Sequence, residues 1–357
     1  MGESIDLQAK IERIVYKPTL CNNLTSIDLS ELRSVLTSKR RGMSSFILKI
    51  GEQYLLSVSK WVGPKRSRTY PYASIYDILC TTYKKVAIIP VIKDEGKEGE
   101  LDYLQWDTVS LLSLLGVYVI PAYYVDAEKS QKHESKITNQ KFDVSYVVEE
   151  IQKVLSYQSE SLHWNLEKMN AIHDIAMKAL ESYDILSKRL GVELHSKADV
   201  LKRIERLYTE AESFKKLSRK AAQAAQHRET KTIQPKEVLD SDTTKAKITI
   251  ENLLGGLYHF TCDEVKIEDN KIYLTEAKHS KSGFPSLNDI KDGLVKMVLY
   301  TNISELYYDC KKYVPVPTLK LTYTKIAKPI LIEKLKTEAQ INGFQLKLVE
   351  NKRGDQI

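Results

Sequence analysis

The 357-residue sequence lacks the short motifs that identify many enzymes outright. It has no phosphate-binding loop of the GxxxxGK(S/T) type, no GxGxxG after a strand, no HExxH and no GxSxG. Those absences remove the usual signatures of an ATPase, a dehydrogenase, a zinc protease and a serine hydrolase, and with them any expected nucleotide cofactor. Cysteine is scarce: Cys21, Cys80, Cys262 and Cys310 are scattered without CxxC spacing. Such usage argues against a zinc site and a disulfide framework, and fits a reducing cytoplasm. The seven histidines show no metal spacing either, and the HxK at His195 and at His279 lacks the Asp of a phospholipase-D-type nuclease. The most apolar run, residues 109–125, contains Ser110, Ser113, Gly116 and Pro121. It reads as a helix over 109–115, a break at Gly116 and a buried strand over 117–124, not as a membrane span. The opening MGESIDLQAKIERIV has no basic-then-apolar leader pattern, so the expectation is a soluble intracellular protein without a membrane partner.

What is present is an ordinary globular composition, 42% hydrophobic and 28% charged, with 54 Lys+Arg against 47 Asp+Glu. The excess of seven suits a polyanionic partner, although a solvated basic surface has the same composition. Three regions separate by pattern. Residues 1–143 alternate strand-like runs (46–50, 53–59, 85–92, 117–125) with helical segments (73–83, 101–115), giving an N-terminal α/β domain. Residues 144–245 are a helical region and linker. Val147, Ile151 and Val154, then Met169, Ile172, Ile175, Ala176 and Leu180, recur at helical steps, 197–228 has no Gly or Pro, and 229–245 loses periodicity. Residues 246–357 read as helix, hairpin, helix, strand, helix, strand. The fold class is therefore mixed α/β.

The chemistry concentrates in residues 258–278, YHFTCDEVKIEDNKIYLTEAK. Two strand-like runs flank Asp269-Asn270, a turn pair for a hairpin. With those two at the tip, Glu268 faces Lys271, Asp263 lies across from Glu276, and Thr261 lies across from Lys278. Alternation of side chains then puts Asp263, Glu276 and Lys278 on one face and Glu264 on the other. Two facing carboxylates repel unless a cation lies between them, and Mg²⁺ is held by one or two carboxylates plus water and phosphate oxygens. Lys278 stands where an ammonium can orient a water and offset phosphate charge, and the Ala277 carbonyl is a further candidate ligand. Solvated residues on an exposed strand would give the same tripeptide.

Asp263, twelve intervening residues and then Glu276-Ala277-Lys278 resemble the PD-(D/E)xK nuclease core. The following KHSKSGFPSLNDIKDGLVKMVLY is similar to what succeeds that motif in type II restriction endonucleases. The resemblance covers about 246–330, and it departs from the pattern at Cys262, where the family often has Pro. It implies that Asp263 and Glu276 bind Mg²⁺ (with Mn²⁺ as a substitute) and that Lys278 assists the attacking water. It also implies an accessory acid at Glu251, on a helix before the hairpin. The implied protein is a prokaryotic, cytoplasmic endonuclease cutting double-stranded DNA at a specific short site. A homodimer follows by analogy with symmetric sites. Two alternatives stand beside it: a structure-specific repair or recombination nuclease, and a non-catalytic DNA-binding or scaffold protein.

Other candidates complete the reading. His279, Lys281 and Ser282 form a polar exit from the strand that suits phosphate contact. Ser286 with Asp289 predicts a capping box, followed by a buried stripe of Leu287, Ile290, Leu294, Met297 and Val298. Lys296 and Tyr300, four apart, share a helix face that can approach the site, with Lys296 a candidate DNA contact. Residues 60–72, with Lys60, Lys65, Arg66, Arg68 and Tyr70, are a second candidate for DNA contact, in the domain expected to recognise DNA. The acidic group Asp94, Glu95, Asp102 and Asp107 is read as a loop and helix start with Trp106 buried.

Overall fold

The computed structural model describes residues 5–37, 43–64, 71–224, 244–252, 257–280 and 283–351. The chain is mixed α and β, and it divides into two compact units that are not drawn at residues 143 and 245. One joins Met1–Cys21 to Phe214–Ile357, and the other is Asn22–Ser213. Among the described residues no helix is long and apolar enough to cross a membrane.

In the unit Asn22–Ser213, five strands line up in the order Ser26–Asp28, Ser45–Ile50, Tyr54–Lys60, Lys84–Pro90 and Val117–Ala122. The last three are mutually parallel, and Val86, Ile88, Val119 and Ile120 are fully buried, which is why those stretches read as continuous apolar runs. Trp106–Leu114 is helical, Gly116 turns at φ +71°, and a strand follows, as the punctuated apolar run predicts. Leu101–Tyr103, expected within a helix, is instead a short strand paired with Ile92–Asp94. The helices Val144–Ser156, Ser161–Asn170 and Ile172–Leu190 belong to this unit. Asn165 donates to the Val117 carbonyl and accepts from the Val119 amide, and Trp164 donates to the Val119 carbonyl. Asp94 is tied up locally, accepting from the Gly96 and His195 amides and meeting His195 Nδ1 at 2.8 Å, a structural role for that acid. Cys80 is disulfide-bonded, as is Cys21, a correction to the expectation from cysteine spacing; Cys262 and Cys310 are free.

The other unit is built on β1 (Ile5–Ile11), β2 (Thr244–Asn252), β3 (Leu257–Glu268), β4 (Lys271–His279), α1 (Leu287–Tyr300), β5 (Glu305–Tyr308), β6 (Lys311–Tyr323), α2 (Pro329–Asn342) and β7 (Gln345–Glu350). Its seven-stranded sheet runs β4-β3-β2-β1-β5-β6-β7, and β4 also pairs with β6, so the pairings close on themselves. β2 corrects the helix expected before the hairpin: Ala246, Ile248 and Ile250 alternate and are buried, a period of two. β4 and β6 are parallel from Lys271–Val314 to His279–Thr322, and α1 makes the crossover between them. Ser286 caps α1, accepting from the Asp289 amide at 3.2 Å while its own amide donates to the Asp289 carboxylate at 3.1 Å. Ile290, Leu294, Met297 and Val298 form the buried stripe, but Leu287, in the first turn, is 37% exposed.

α1 lies close against β4 and β6 because residue 293 is glycine. A Cβ there would come within 2.8 Å of Leu319 Cδ1 and 3.4 Å of Lys278 Cε. Gly293→Ala is therefore expected to lower stability by about 1–3 kcal/mol through overpacking, read as a reduced melting temperature. An unchanged melting temperature would mean that the helix has slack over the sheet.

Candidate active site

Register decides which side chains meet beneath α1. Asp269, at φ +52°, and Asn270 turn the chain between β3 and β4. Glu268 then faces Lys271, and pairing steps back to Glu264 opposite Thr275, the register the sequence predicts. One step further, where Asp263 would face Glu276, the ladder has ended, and the Asp263 carboxylate accepts a hydrogen bond from the Ala277 amide at 3.0 Å. The cause lies on the other edge of β3. Ala246 of β2 pairs with Cys262 but Thr244 pairs with Val265, so β3 carries one extra residue between them. That bulge shifts the burial phase from Tyr258, Phe260 and Cys262 to Val265. Bulges re-aim side chains where they occur, and here the re-aimed residue is Asp263.

Glu276 shares its strand face with Ile272 and Leu274 and is only 2% exposed. Each of its oxygens meets an ammonium. Lys278 Nζ lies 3.0 Å from Oε1 and Lys296 Nζ lies 2.7 Å from Oε2. Lys278 reaches onward to Asp292 Oδ2 at 2.5 Å, and Lys296 donates to the Thr261 carbonyl at 2.8 Å. The Tyr300 hydroxyl also approaches that carbonyl, at 3.4 Å. Glu264 points away, as expected, and pairs with Lys320 at 2.8 Å.

The electrostatics follow from burial. Loss of water pushes the Glu276 carboxyl above the usual range, Lys296 and Lys278 pull it back, and the Asp263 charge adds to the rise. Burial alone would lower the Lys278 ammonium, but the combined attraction of Glu276 and Asp292 overrides it and leaves it raised. Cys262 is pushed up to about 12, chiefly by burial, so this thiol is not a nucleophile at neutral pH.

A cation here would be offered two carboxylates, Asp263 and Glu276. Among the described residues no group of three His, Cys, Asp or Glu is arranged to hold a metal ion. Two carboxylates completed by water suit Mg²⁺, which gives up its hydration reluctantly, and do not suit zinc. Glu251 does not join them. It lies on β2 opposite Leu257, six residues from Asp263 along β3, or roughly 20 Å at strand spacing.

The candidate DNA contacts fare unequally. Lys60 is buried, donates to the Val35 carbonyl at 2.6 Å, and is pushed down by burial, which removes it from any phosphate-contacting role. Lys296 is at the site, but as a partner of Glu276. His279 is exposed at the end of β4, opposite Thr322. Lys65, Arg66, Arg68, Tyr70, Lys281 and Ser282 lie outside the described residues.

Asp292 and Gly293 were not legible as site residues. A signal existed for Asp292 alone: Asp292, Lys296 and Tyr300 recur every four residues and so stack along one helix face.

The thiol environment predicts a labelling pattern. Iodoacetamide at pH 8 should modify exposed Cys310 in the folded protein and leave Cys262 unmodified until denaturant is added, as read by peptide mass. Rapid labelling of Cys262 in native protein would mean that the sheet beneath α1 opens readily. In comparisons with known proteins, no protein-family model, no curated protein and no solved structure matches this chain.

Proposed function

We propose that this chain is a Mg²⁺-dependent endodeoxyribonuclease of the PD-(D/E)xK type, cutting double-stranded DNA at a short specific site as type II restriction enzymes do. The observation that carries the reading is a buried Glu276 with the Lys278 ammonium 3.0 Å away, while Asp263 on the adjacent strand accepts from the Ala277 amide at 3.0 Å and its charge raises the Glu276 carboxyl. The three residues lie on the hairpin β3-β4 that the sequence predicts, and a helical crossover leads from β4 to parallel β6.

Charge distribution gives independent support. The unit containing the site has 28 Lys+Arg against 21 Asp+Glu, whereas Asn22–Ser213 has 26 of each. The whole excess of seven therefore belongs to the unit with the carboxylate pair, which favours a polyanionic substrate there. This moves DNA contact away from the N-terminal region and toward the catalytic unit.

In the proposed reaction Asp263 and Glu276 hold the cation, with the Ala277 carbonyl a further candidate ligand. A bound Mg²⁺ supplies Lewis-acid polarisation of a phosphoryl oxygen and acidifies a coordinated water. Lys278 orients the attacking water and offsets charge that develops on the scissile phosphate. Lys296 balances the second Glu276 oxygen. Homodimerisation, with one site per strand, is part of the proposal.

Glu276→Ala should abolish Mg²⁺- or Mn²⁺-dependent cleavage of plasmid DNA while leaving binding in Ca²⁺ largely intact. Either substitution removes the charge that two ammoniums face, which costs about 3–5 kcal/mol, so a melting temperature must show each variant folded; near-isosteric Glu276→Gln, whose amide oxygen can still accept from one lysine, is the milder change and should be equally inactive. Discrete wild-type fragments support sequence-specific cutting, and cutting only at junctions or ends favours a structure-specific nuclease. Cleavage retained in both variants, or no metal-dependent cleavage by the wild type, sinks the reading.

A further inference from the structure

Lys278 needs more than proximity to Glu276 to act on one phosphate oxygen. Its four-carbon stem is flexible, and its neighbour Glu276 is already shared with Lys296. The shortest contact of the Lys278 ammonium is made elsewhere, to Asp292 Oδ2 at 2.5 Å. Asp292 comes from the first half of α1, whose start is fixed by the Ser286–Asp289 capping box. The next residue, Gly293, leaves the space through which the lysine stem passes, since a Cβ there would lie 3.4 Å from Lys278 Cε. Helix start, gap and carboxylate thus act on one side chain.

We propose that Asp292 is the positioning residue for Lys278, pinning its ammonium from α1 while Glu276 meets it from the strand. The catalytic consequence rests on the nuclease reading above, whereas the placement of the ammonium does not. Because Asp292 acts through Lys278 and touches no substrate, its loss should lower turnover without weakening DNA binding. Partners of this kind are typically worth 10–100-fold.

The test uses the full chain and two independent readouts. In cleavage assays, Asp292→Asn should reduce kcat by about 10–100-fold with KM for DNA and binding in Ca²⁺ changed by less than about twofold. Asp292→Glu, which keeps the carboxylate, should recover most of the loss. Combining Asp292→Asn with Lys278→Met should cost nothing beyond Lys278→Met alone, as expected of two groups acting as one unit. The second readout needs no activity. Under mild amine acylation followed by peptide mass analysis, Lys278 should react several-fold faster in Asp292→Asn than in wild type, with the melting temperature confirming a folded variant. Should Asp292→Asn fail to fold, Asp292→Glu carries the acylation test, with Lys278 kept as protected as in wild type.

An unchanged kcat, an additive double variant or unchanged acylation in folded Asp292→Asn overturns the inference and leaves the nuclease reading standing. If no form of the protein cleaves DNA, acylation alone decides the placement, and the nuclease reading falls separately.

Discussion

A carboxylate buried at 2% exposure, that of Glu276, is the constraint around which its unit is arranged. Removing a charge from water costs several kcal/mol, and the cost is met only if charged or hydrogen-bonding partners occupy the vacated hydration positions. Glu276 meets that demand from two directions: Lys278, two residues along its own strand and so on the same face, and Lys296 from the covering helix. The second partner ties α1 to β4 by charge as well as by the apolar contacts of Ile290 and Leu294. An ion pair across this packing sets which helix residue stands over which strand residue. Gly293 lets the two come close enough for the pairing to form.

Much of this was legible because it depends on local rules. A two-residue Asp-Asn tip and a period of two suffice to predict the hairpin register, and the ladder follows it from Glu268–Lys271 to Glu264–Thr275, one step short of the expected Asp263–Glu276 pair. Ser286 three residues before Asp289 suffices to start a helix. What escaped was non-local. The bulge that turns Asp263 toward the Ala277 amide arises from the pairing of β3 with β2, and Thr244 opposite Val265 has no local signature. β1 pairs in parallel with β2 across more than two hundred residues of sequence, so no window of sequence could assign Ile5–Ile11 to the C-terminal unit. Glu251 lies on a strand and not on the expected helix, since Ala246, Ile248 and Ile250 alternate with polar residues and are buried.

Lys60 illustrates a different limit. Composition places it in a basic, aromatic-rich stretch, but depth is a tertiary property: its stem follows the strand inward and its ammonium ends on the Val35 carbonyl. Lys296, a candidate DNA contact on sequence, likewise turns inward, to Glu276 and the Thr261 carbonyl. In both cases a lysine proved to be answering a buried oxygen. Counting cations along a sequence therefore overstates what is free to meet phosphate. The charge excess of the whole unit is the more robust quantity, because buried pairs cancel within it.

That cancellation also bears on what the site can accept. Three carboxylates, Asp263, Glu276 and Asp292, stand with two ammoniums, Lys278 and Lys296, so the cluster carries one net negative charge when all are ionised. A purely structural ion-pair network gains nothing from an unbalanced charge next to the core, since an uncompensated buried charge is the costly case and apolar replacements of similar volume are often as stable. A divalent cation would turn the balance to plus one, and one phosphodiester group would return it to zero. The stoichiometry of charge thus suits a cation and a phosphate arriving together better than either alone. On that argument metal and DNA should bind with positive coupling: Ca²⁺ should tighten DNA binding by the wild type, DNA should tighten Ca²⁺ binding by the same factor, and the absence of either effect would count against the argument.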